Sequence, residues 1–195
     1  MKLRLDDIAD LRAYEREREA FRSRVIDLKR RRRIAVGPYV SLVFENRDTV
    51  RFQVQEMARA ERMLTDDAIR GELDVYNPLI PEPGELSATM FVELTTPEQL
   101  RKWLPRLAGI ERNVALRIGG STVPAQLHAA HADQLTREDV TASVHYLHWT
   151  LGSAEMSEWA TAALAVVIDH PAYRHAAVLG EPTRHELLQD LLHGG

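Results

Sequence analysis

The sequence contains no cysteine, which excludes disulfide bonds, thiolate metal sites, iron–sulfur ligation and a thiol nucleophile. It also lacks a phosphate-binding glycine loop, a Gly-x-Gly-x-x-Gly pattern and a Gly-x-Ser-x-Gly nucleophile elbow. The most apolar stretch, Ala160–Ile168, is far shorter than the ~20 residues of a bilayer span, and residues 1–7 lack the apolar run of a secretory signal. We therefore predict a cytoplasmic protein with no membrane segment, no cofactor and no identifiable catalytic residue. Whether it is an enzyme stays open.

The residues that are present are typical of a soluble globular protein. The 195 residues are 45% hydrophobic and 28% charged, which excludes wholesale disorder and allows a sizeable core. Residues 1–62 hold 16 basic and 11 acidic side chains, whereas the remainder hold 9 basic and 18 acidic ones. We predict a single domain, 1–195, with a helical N-terminal arm that has a basic end (1–37) and an α+β body (38–195). The uneven charge favours either docking between the basic residues 1–62 and the acidic residues 63–195 or head-to-tail self-association.

Periodicity predicts the order of helices and strands. Apolar spacing and capping residues indicate helices over residues 14–32, 49–64, 66–76, 96–107, 153–167 and 182–193. Alternation and β-branched content indicate strands over residues 39–45, 86–94, 113–118, 121–128 and 140–150. Gly119-Gly120 predicts a hairpin that places Leu116 opposite Val123, and Pro124 puts its second strand at an edge or a bulge. We predict an α+β fold with a mostly antiparallel sheet of about five strands, packed with five or six helices.

The histidines are the natural candidates for a metal site in a chain without cysteine. His145 and His148 lie three apart on a predicted strand, so their side chains point to opposite faces of the sheet. His128 and His131 lie at a strand end and in a loop, and His185 lacks the second histidine that a zincin helix needs. We therefore predict no metal site.

Five consecutive basic residues form the strongest local charge feature, and we call them the basic run: Lys29, Arg30, Arg31, Arg32 and Arg33. The run can contact phosphate groups or an acidic partner. It can equally be a solvated helix end that interacts favourably with the helix dipole, and this second interpretation is favoured. No aromatic side chains interleave with the run, which argues against base stacking.

The densest group of polar residues lies between the strand that ends near Glu45 and the helix that follows. Arg51 and Gln55 lie four apart on that helix, so polar rows flank an apolar one. The group is either a binding site, for which a helix start suits an anion, or an ion-pair network in which Glu45 pairs with Arg47 or Arg51 beside a pocket or subunit contact. The candidate residues for ligand or partner binding are Glu45, Asn46, Arg47, Arg51, Gln55, Glu56, Tyr76 and Asn77.

Several long phrases of the sequence resemble an uncharacterised bacterial family, domain-of-unknown-function family 3501. The phrases are residues 28–38, 44–57, 72–81 and 85–93, and the resemblance extends over nearly the whole chain. The family implies no established activity and no catalytic residues. Its members are often encoded beside rubrerythrin-like and iron–sulfur proteins, which implies a redox or oxidative-stress setting. A cysteine-free chain would be a companion there and not a carrier of the cluster.

The sequence favours a non-catalytic accessory or binding protein that acts through a protein partner or through self-association. The main alternative is an enzyme or sensor with an anionic small-molecule site at Glu45–Glu56. A second alternative is nucleic-acid binding through the basic run. No motif in the sequence decides between these three functions.

Overall fold

The structure, a computed structural model, describes residues 1–127 and 140–195. The described strands are β1 (Arg33–Val36), β2 (Val40–Phe44), β3 (Glu85–Val92), β4 (Val114–Ile118), β5 (Ser121–Pro124), β6 (Gln126–Leu127), β7 (Val144–Thr150), β8 (Leu164–His170) and β9 (Tyr173–Val178). The described α-helices are α1 (Leu11–Arg32), α2 (Arg47–Ala60), α3 (Asp66–Tyr76), α4 (Pro97–Trp103), α5 (Ser153–Glu158) and α6 (Glu181–His193). The strands form two antiparallel sheets, with the orders β1-β2-β3-β7-β6 and β5-β4-β8-β9. The predicted α+β class is confirmed.

The main core lies between the two sheets. Alternate residues of the first sheet, such as Leu42, Met90 and Trp149, share one apolar cluster with Leu116 and Val166 of the second. This alternation places the residues between them on the outer face of the first sheet, where α1 packs against β2. Every residue of β2 is therefore buried, and polar side chains on this outer face are enclosed beneath helices.

The Gly-Gly hairpin is confirmed in its predicted register. Leu116 is the partner of Val123, and the Ala125 N–H donates to the Val114 carbonyl at 2.8 Å. β5 is an edge strand, as the position of Pro124 requires. Immediately after this edge the chain enters β6 of the first sheet, so β5 and β6 join the two sheets. The predicted end of this strand, His128, lies outside the described residues.

The predicted helix over residues 153–167 is wrong in its second half. The helix α5 ends at Glu158, and β8 follows with Leu164, Val166 and Ile168 buried in strict alternation. The apolar residues of this stretch fit both a helical and a strand period, and the β-branched run decides for the strand because it pairs with β4 on one side and β9 on the other.

Two further strands, β1 and β9, were absent from the prediction. The strand β1 begins directly after α1 and returns as β2 through a turn in which Gly37 has φ +75°. The Tyr173 hydroxyl of β9 donates to the Val36 carbonyl at 2.7 Å and accepts from the Tyr39 N–H at 2.9 Å. A side chain at Gly37 would collide with this tyrosine and with His175. The turn is thereby held against the second sheet.

Within the two described stretches of the chain, no helix has the length and apolar character that a bilayer crossing requires.

Candidate functional site

The turn from β2 into α2 fixes the position of Glu45. Asn46 caps α2, because its side chain accepts from the Thr49 N–H at 3.0 Å and its own N–H donates to the Thr49 hydroxyl at 2.9 Å. Phe44 points into the core between the sheets, so the next side chain, Glu45, points to the outer face of the first sheet. The carboxylate therefore lies beneath the first turn of α2.

The Glu45 carboxylate is buried and its protein contacts are neutral. The residue is 7% exposed. Thr49 donates its hydroxyl to one carboxylate oxygen at 2.5 Å, and Thr89 of β3 donates to the other at 2.6 Å. Within residues 1–127 and 140–195, no lysine, arginine or histidine nitrogen lies within 4.0 Å of it. This acid consequently has hydrogen-bond donors but no countercharge.

Glu45 borders a cavity of about 200 Å³, which we call the Glu45 cavity. Its buried base is formed by Glu45, Val50, Leu79 and Thr89. Its half-exposed mouth is formed by Lys29, Gln53, Tyr76, Phe91, Val144 and Tyr146. The cavity thus combines apolar and aromatic walls with a few polar groups, which is the usual composition of a small-molecule site.

Both tyrosines at the mouth are neutral hydrogen-bonding groups at physiological pH. Burial is the main cause that raises the pKa of Tyr146 to about 12, and the neighbouring Tyr76 and Glu45 add to it. Burial also raises the pKa of Tyr76, although a hydrogen bond with Gln53 acts in the opposite direction. Neither phenol adds a negative charge to that of Glu45.

Most of the other predicted site residues face away from this cavity and hold the N-terminal segment. The side chain of Gln55 donates to the Ala9 carbonyl at 2.8 Å and accepts from its N–H at 3.0 Å. Asn77 makes the same pair of contacts with the backbone of Leu3, at 3.0 and 2.8 Å. The side-chain amides of Gln55 and Asn77 thus hold residues 9 and 3 by hydrogen-bonding to both backbone groups, as a neighbouring strand would.

The expected pairing of Glu45 with Arg47 or Arg51 is wrong. Arg47 forms a 2.6 Å ion pair with Asp7. Arg51 donates to the Asp7 carbonyl at 2.8 Å and lies 3.5 Å from a Glu17 carboxylate oxygen. Both guanidinium groups thus contact Asp7 in the N-terminal segment, and neither Arg47 nor Arg51 lines the cavity. The Asp7 carboxylate therefore binds Arg47, where the sequence predicted that an external anion could bind.

Glu56 is neutralised inside the chain. Arg18 donates two hydrogen bonds to its carboxylate, both 2.8 Å, and the Tyr14 hydroxyl donates a third at 2.6 Å. The Arg18 guanidinium is the main cause that holds the pKa of Glu56 below its usual range, and Tyr14 contributes in the same direction. Of the eight predicted ligand or partner-binding residues, only Glu45 and Tyr76 border the cavity.

Seven cavity residues were not singled out as candidates from the sequence: Val50, Gln53, Leu79, Thr89, Phe91, Val144 and Tyr146. A signal for two of them exists, because the alternation of residues 86–94 places Thr89 and Phe91 together on the face opposite the core. Thr89 pairs with Tyr146 across β3 and β7, and no local pattern of the sequence indicates that pairing.

The basic run is largely used inside the fold. Arg32 is 2% exposed and donates two hydrogen bonds, 2.6 and 2.9 Å, to Asp190 of α6. Arg31 donates to Glu186 of α6 at 2.6 Å, and Arg33 donates to Glu93. Burial raises the pKa of Asp190, whereas its contacts with Arg32 lower it. Of the two outcomes expected from the uneven charge, the structure shows docking of the basic N-terminal part on the acidic C-terminal part.

The remaining two residues of the run differ from these. Arg30 pairs with Asp27 one turn earlier at 2.9 Å, and both side chains are exposed. Lys29 lies at the mouth of the Glu45 cavity, with its ammonium group 5.8 Å from the centre of the Phe52 ring.

His145 and His148 lie on opposite faces of β7, with His145 on the buried inner side. The His145 Nε2 atom is 2.9 Å from the Thr141 hydroxyl, and its Nδ1 atom is 4.0 Å from a Glu111 carboxylate oxygen. Burial lowers the pKa of His145, and Glu111 opposes this shift. The described residues contain no group of three or more His, Asp or Glu side chains arranged for a metal ion. His128 and His131 fall outside the described part of the chain.

The comparisons with known proteins extend over the whole fold. The model of a family described as a protein of unknown function, DUF3501, matches residues 2–191. A crystal structure described as a novel protein of unknown function from Burkholderia pseudomallei is 36% identical in sequence, with a TM-score of 0.90. The match covers 98% of this chain and 100% of that one. No curated protein matches the chain.

Proposed function

Because the chain belongs to the DUF3501 family of proteins of unknown function, we propose a function from its own geometry: it is a small-molecule-binding accessory protein, and its ligand occupies the Glu45 cavity. The observation that carries the proposal is the buried Glu45 carboxylate at the base of that cavity, which has two hydroxyl donors and, among residues 1–127 and 140–195, no countercharge. A bound molecule would supply the missing charge partner.

The energetic argument rests on the cost of burying a charge. Removing a carboxylate from water without a countercharge costs several kcal/mol. A glutamine of the same shape could keep contacts with the hydroxyls of Thr49 and Thr89 without that cost. A glutamate at position 45 therefore makes the ligand-free protein less stable than a glutamine would. The charge becomes favourable when a ligand of opposite charge contacts it.

The proposed function retains the accessory role predicted from the sequence. It also includes a small-molecule site, as the main alternative did, but a site of different charge. The small-molecule site lies at the start of the Glu45–Glu56 segment, but the charge on its buried base is negative, so we do not propose an anion-specific site. We place this function in the bacterial cytoplasm, in the redox or oxidative-stress setting that the family resemblance implies. A protein partner would then respond to the presence of the ligand.

Differential scanning fluorimetry with a panel of small amines, amino acids and carboxylates tests this function. We expect at least one compound to raise the melting temperature of the wild-type protein. Val144→Phe, which fills the cavity mouth, should abolish that shift. Val178→Phe is the matched control, because Val178 is 76% exposed on β9 and lies outside the cavity. The proposal is wrong if no compound stabilises the wild type, or if the shift persists in Val144→Phe.

A further inference from the structure

Two side chains of opposite charge border the Glu45 cavity, and described residues neutralise neither of them. Among the described residues, only Thr49 and Thr89 donate side-chain hydrogen bonds to Glu45. Lys29 has no carboxylate oxygen within 4.0 Å in the described parts of the chain, and the two side chains are not paired with each other. The other four members of the basic run each have an acidic partner. Lys29 is therefore the exception in the run, and it is the member that reaches the cavity.

The Glu45 end of the cavity suits a cationic hydrogen-bond donor. Each carboxylate oxygen accepts one hydrogen bond and has a second lone pair available. A charged N–H donor makes a stronger hydrogen bond to a carboxylate than a neutral hydroxyl does. The rings of Tyr76, Phe91 and Tyr146 line the same cavity, and aromatic faces attract ammonium groups. An ammonium group fits this environment better than a neutral or anionic one.

The Lys29 end suits an anionic group. The lysine ammonium is a compact charge with three donors on a flexible stem, so it can follow ligands of different length. It is half-buried and lies near the face of the Phe52 ring. A carboxylate or similar anion would give it the partner that Arg31, Arg32 and Arg33 already have.

Given the binding function proposed above, we infer that the Glu45 cavity selects small zwitterions, with a cationic amine at Glu45 and an anionic group at Lys29. The cavity of about 200 Å³ is below the usual range for drug-sized ligands, roughly 300–1,000 Å³, which points to molecules of amino-acid size. An anion without an amine would be repelled by Glu45. An amine without an anion would leave Lys29 unpaired.

Isothermal titration calorimetry with a set of linear probes tests the inference. The zwitterionic probes are 4-aminobutyrate, 5-aminopentanoate and 6-aminohexanoate, which vary the separation of the charges. The single-charge probes are pentylamine and pentanoate, and pentanamide is the neutral probe. We expect the best zwitterion to bind the wild-type protein at least about tenfold more tightly than any other probe, because two charge-assisted contacts replace one.

Two variants assign the contacts. Glu45→Gln should remove the preference for the zwitterion over pentanoate, and Lys29→Gln should remove its preference over pentylamine. Glu98→Gln and Lys102→Gln change exposed residues of α4 and should leave all affinities within about twofold, as exposed charges contribute little.

The possible failures are distinguishable. If pentanoate or pentylamine binds as tightly as the best zwitterion, or if Glu45→Gln and Lys29→Gln change nothing, the inference is wrong. If pentanamide binds the wild type but not Val144→Phe, and charge adds nothing to affinity, the cavity is a binding site and only the zwitterion inference fails. If no probe binds and no compound of the fluorimetry panel stabilises the protein, the proposed function fails with it.

Discussion

Glu45 and Glu56 lie at the two ends of one segment, and their carboxylates differ in the partners that neutralise them. Glu56 receives three hydrogen bonds, two of them from the guanidinium of Arg18, and its charge is neutralised within the chain. Glu45 is more deeply buried and, from the part of the chain that the structure describes, receives hydrogen bonds from two hydroxyl groups only, beside an open cavity. A polar cluster in sequence can thus divide into one carboxylate that the described residues neutralise and one that they do not. The partners of a charge, and not its burial alone, distinguish them.

Asp190 is a deeply buried carboxylate that Arg32 neutralises, so removing that partner should cause the largest loss of stability. Arg32→Ala leaves this buried carboxylate without its bidentate partner, and breaking a buried pair costs about 3–5 kcal/mol of unfolding free energy. Urea denaturation measures the loss. Arg30→Ala is the control within the same run, because its ion pair with Asp27 is exposed, and it should change stability by less than about 0.5 kcal/mol. Equal losses in the two variants would contradict this assignment.

Arg18→Met should have the next largest effect. The methionine keeps much of the apolar stem but removes both charge-assisted hydrogen bonds to Glu56. Because both side chains are about a quarter exposed, solvent reduces the effect to about 1–2 kcal/mol of unfolding free energy. Arg16→Met, at an exposed position of the same helix, is the control in urea denaturation and should be close to neutral. A neutral Arg18→Met would show that Glu56 gains nothing from its partners.

Arg51→Met should be milder and should leave ligand binding intact. It removes the hydrogen bond to the Asp7 carbonyl and the contact of the guanidinium with the Phe21 ring, whose centre is 5.0 Å away. We expect a loss of about 1 kcal/mol in thermal or urea denaturation. Any ligand-induced rise in melting temperature should be unchanged, because Arg51 lies outside the cavity. If Arg51→Met abolished the ligand-induced rise without lowering stability, the ligand would bind beside Arg51 and not in the Glu45 cavity.

The pH dependence of stability should report the pairing of Glu56 with Arg18. The folded state lowers the pKa of Glu56 below its ordinary value of 4.5, chiefly through Arg18. Its stabilising contribution is therefore fully present above that value and is lost as the pH falls through the lowered pKa. The stability difference between the wild type and Glu56→Gln, measured by denaturation from pH 7 to pH 3, should shrink on the acid side. A difference that stays constant over this range would contradict the pairing.

Local signals in the sequence predicted much of the fold. The helix α1 and the Gly119-Gly120 hairpin depend on neighbouring residues, such as the stripe of Tyr14, Phe21 and Val25, so their prediction succeeded. The strand β8 depends on pairing with distant strands, which overrides the helical spacing of its apolar residues. Because sheet pairing is non-local, periodicity predicted the β4–β5 hairpin of the second sheet but not the addition of β8 and β9 to it.

The same distinction explains the candidate site. Glu45 was singled out because it lies in the local polar cluster, and Tyr76 was included among the candidate residues. The other cavity residues come from α1, α2, β3, β7 and the turn that follows α3, and only the packing of these elements brings Lys29, Thr89 and Tyr146 beside Glu45. The sequence shows that charged residues are numerous, but it does not indicate which of them form ion pairs with each other in the folded chain.

The unfolding free energies of Glu45→Gln and Glu56→Gln, measured together by urea denaturation of ligand-free protein at pH 7, test the central claim most directly. Glu56→Gln should lose about 1–2 kcal/mol, because it weakens contacts with a charged partner. Glu45→Gln should be as stable as the wild type or more stable, because it removes a buried charge that has no countercharge among the described residues. The Thr49 hydroxyl can accept from the new amide while it donates to the Asn46 carbonyl, 3.0 Å away. A loss in Glu45→Gln as large as that in Glu56→Gln would show that Glu45 is a structural residue, and the account of the cavity would be wrong.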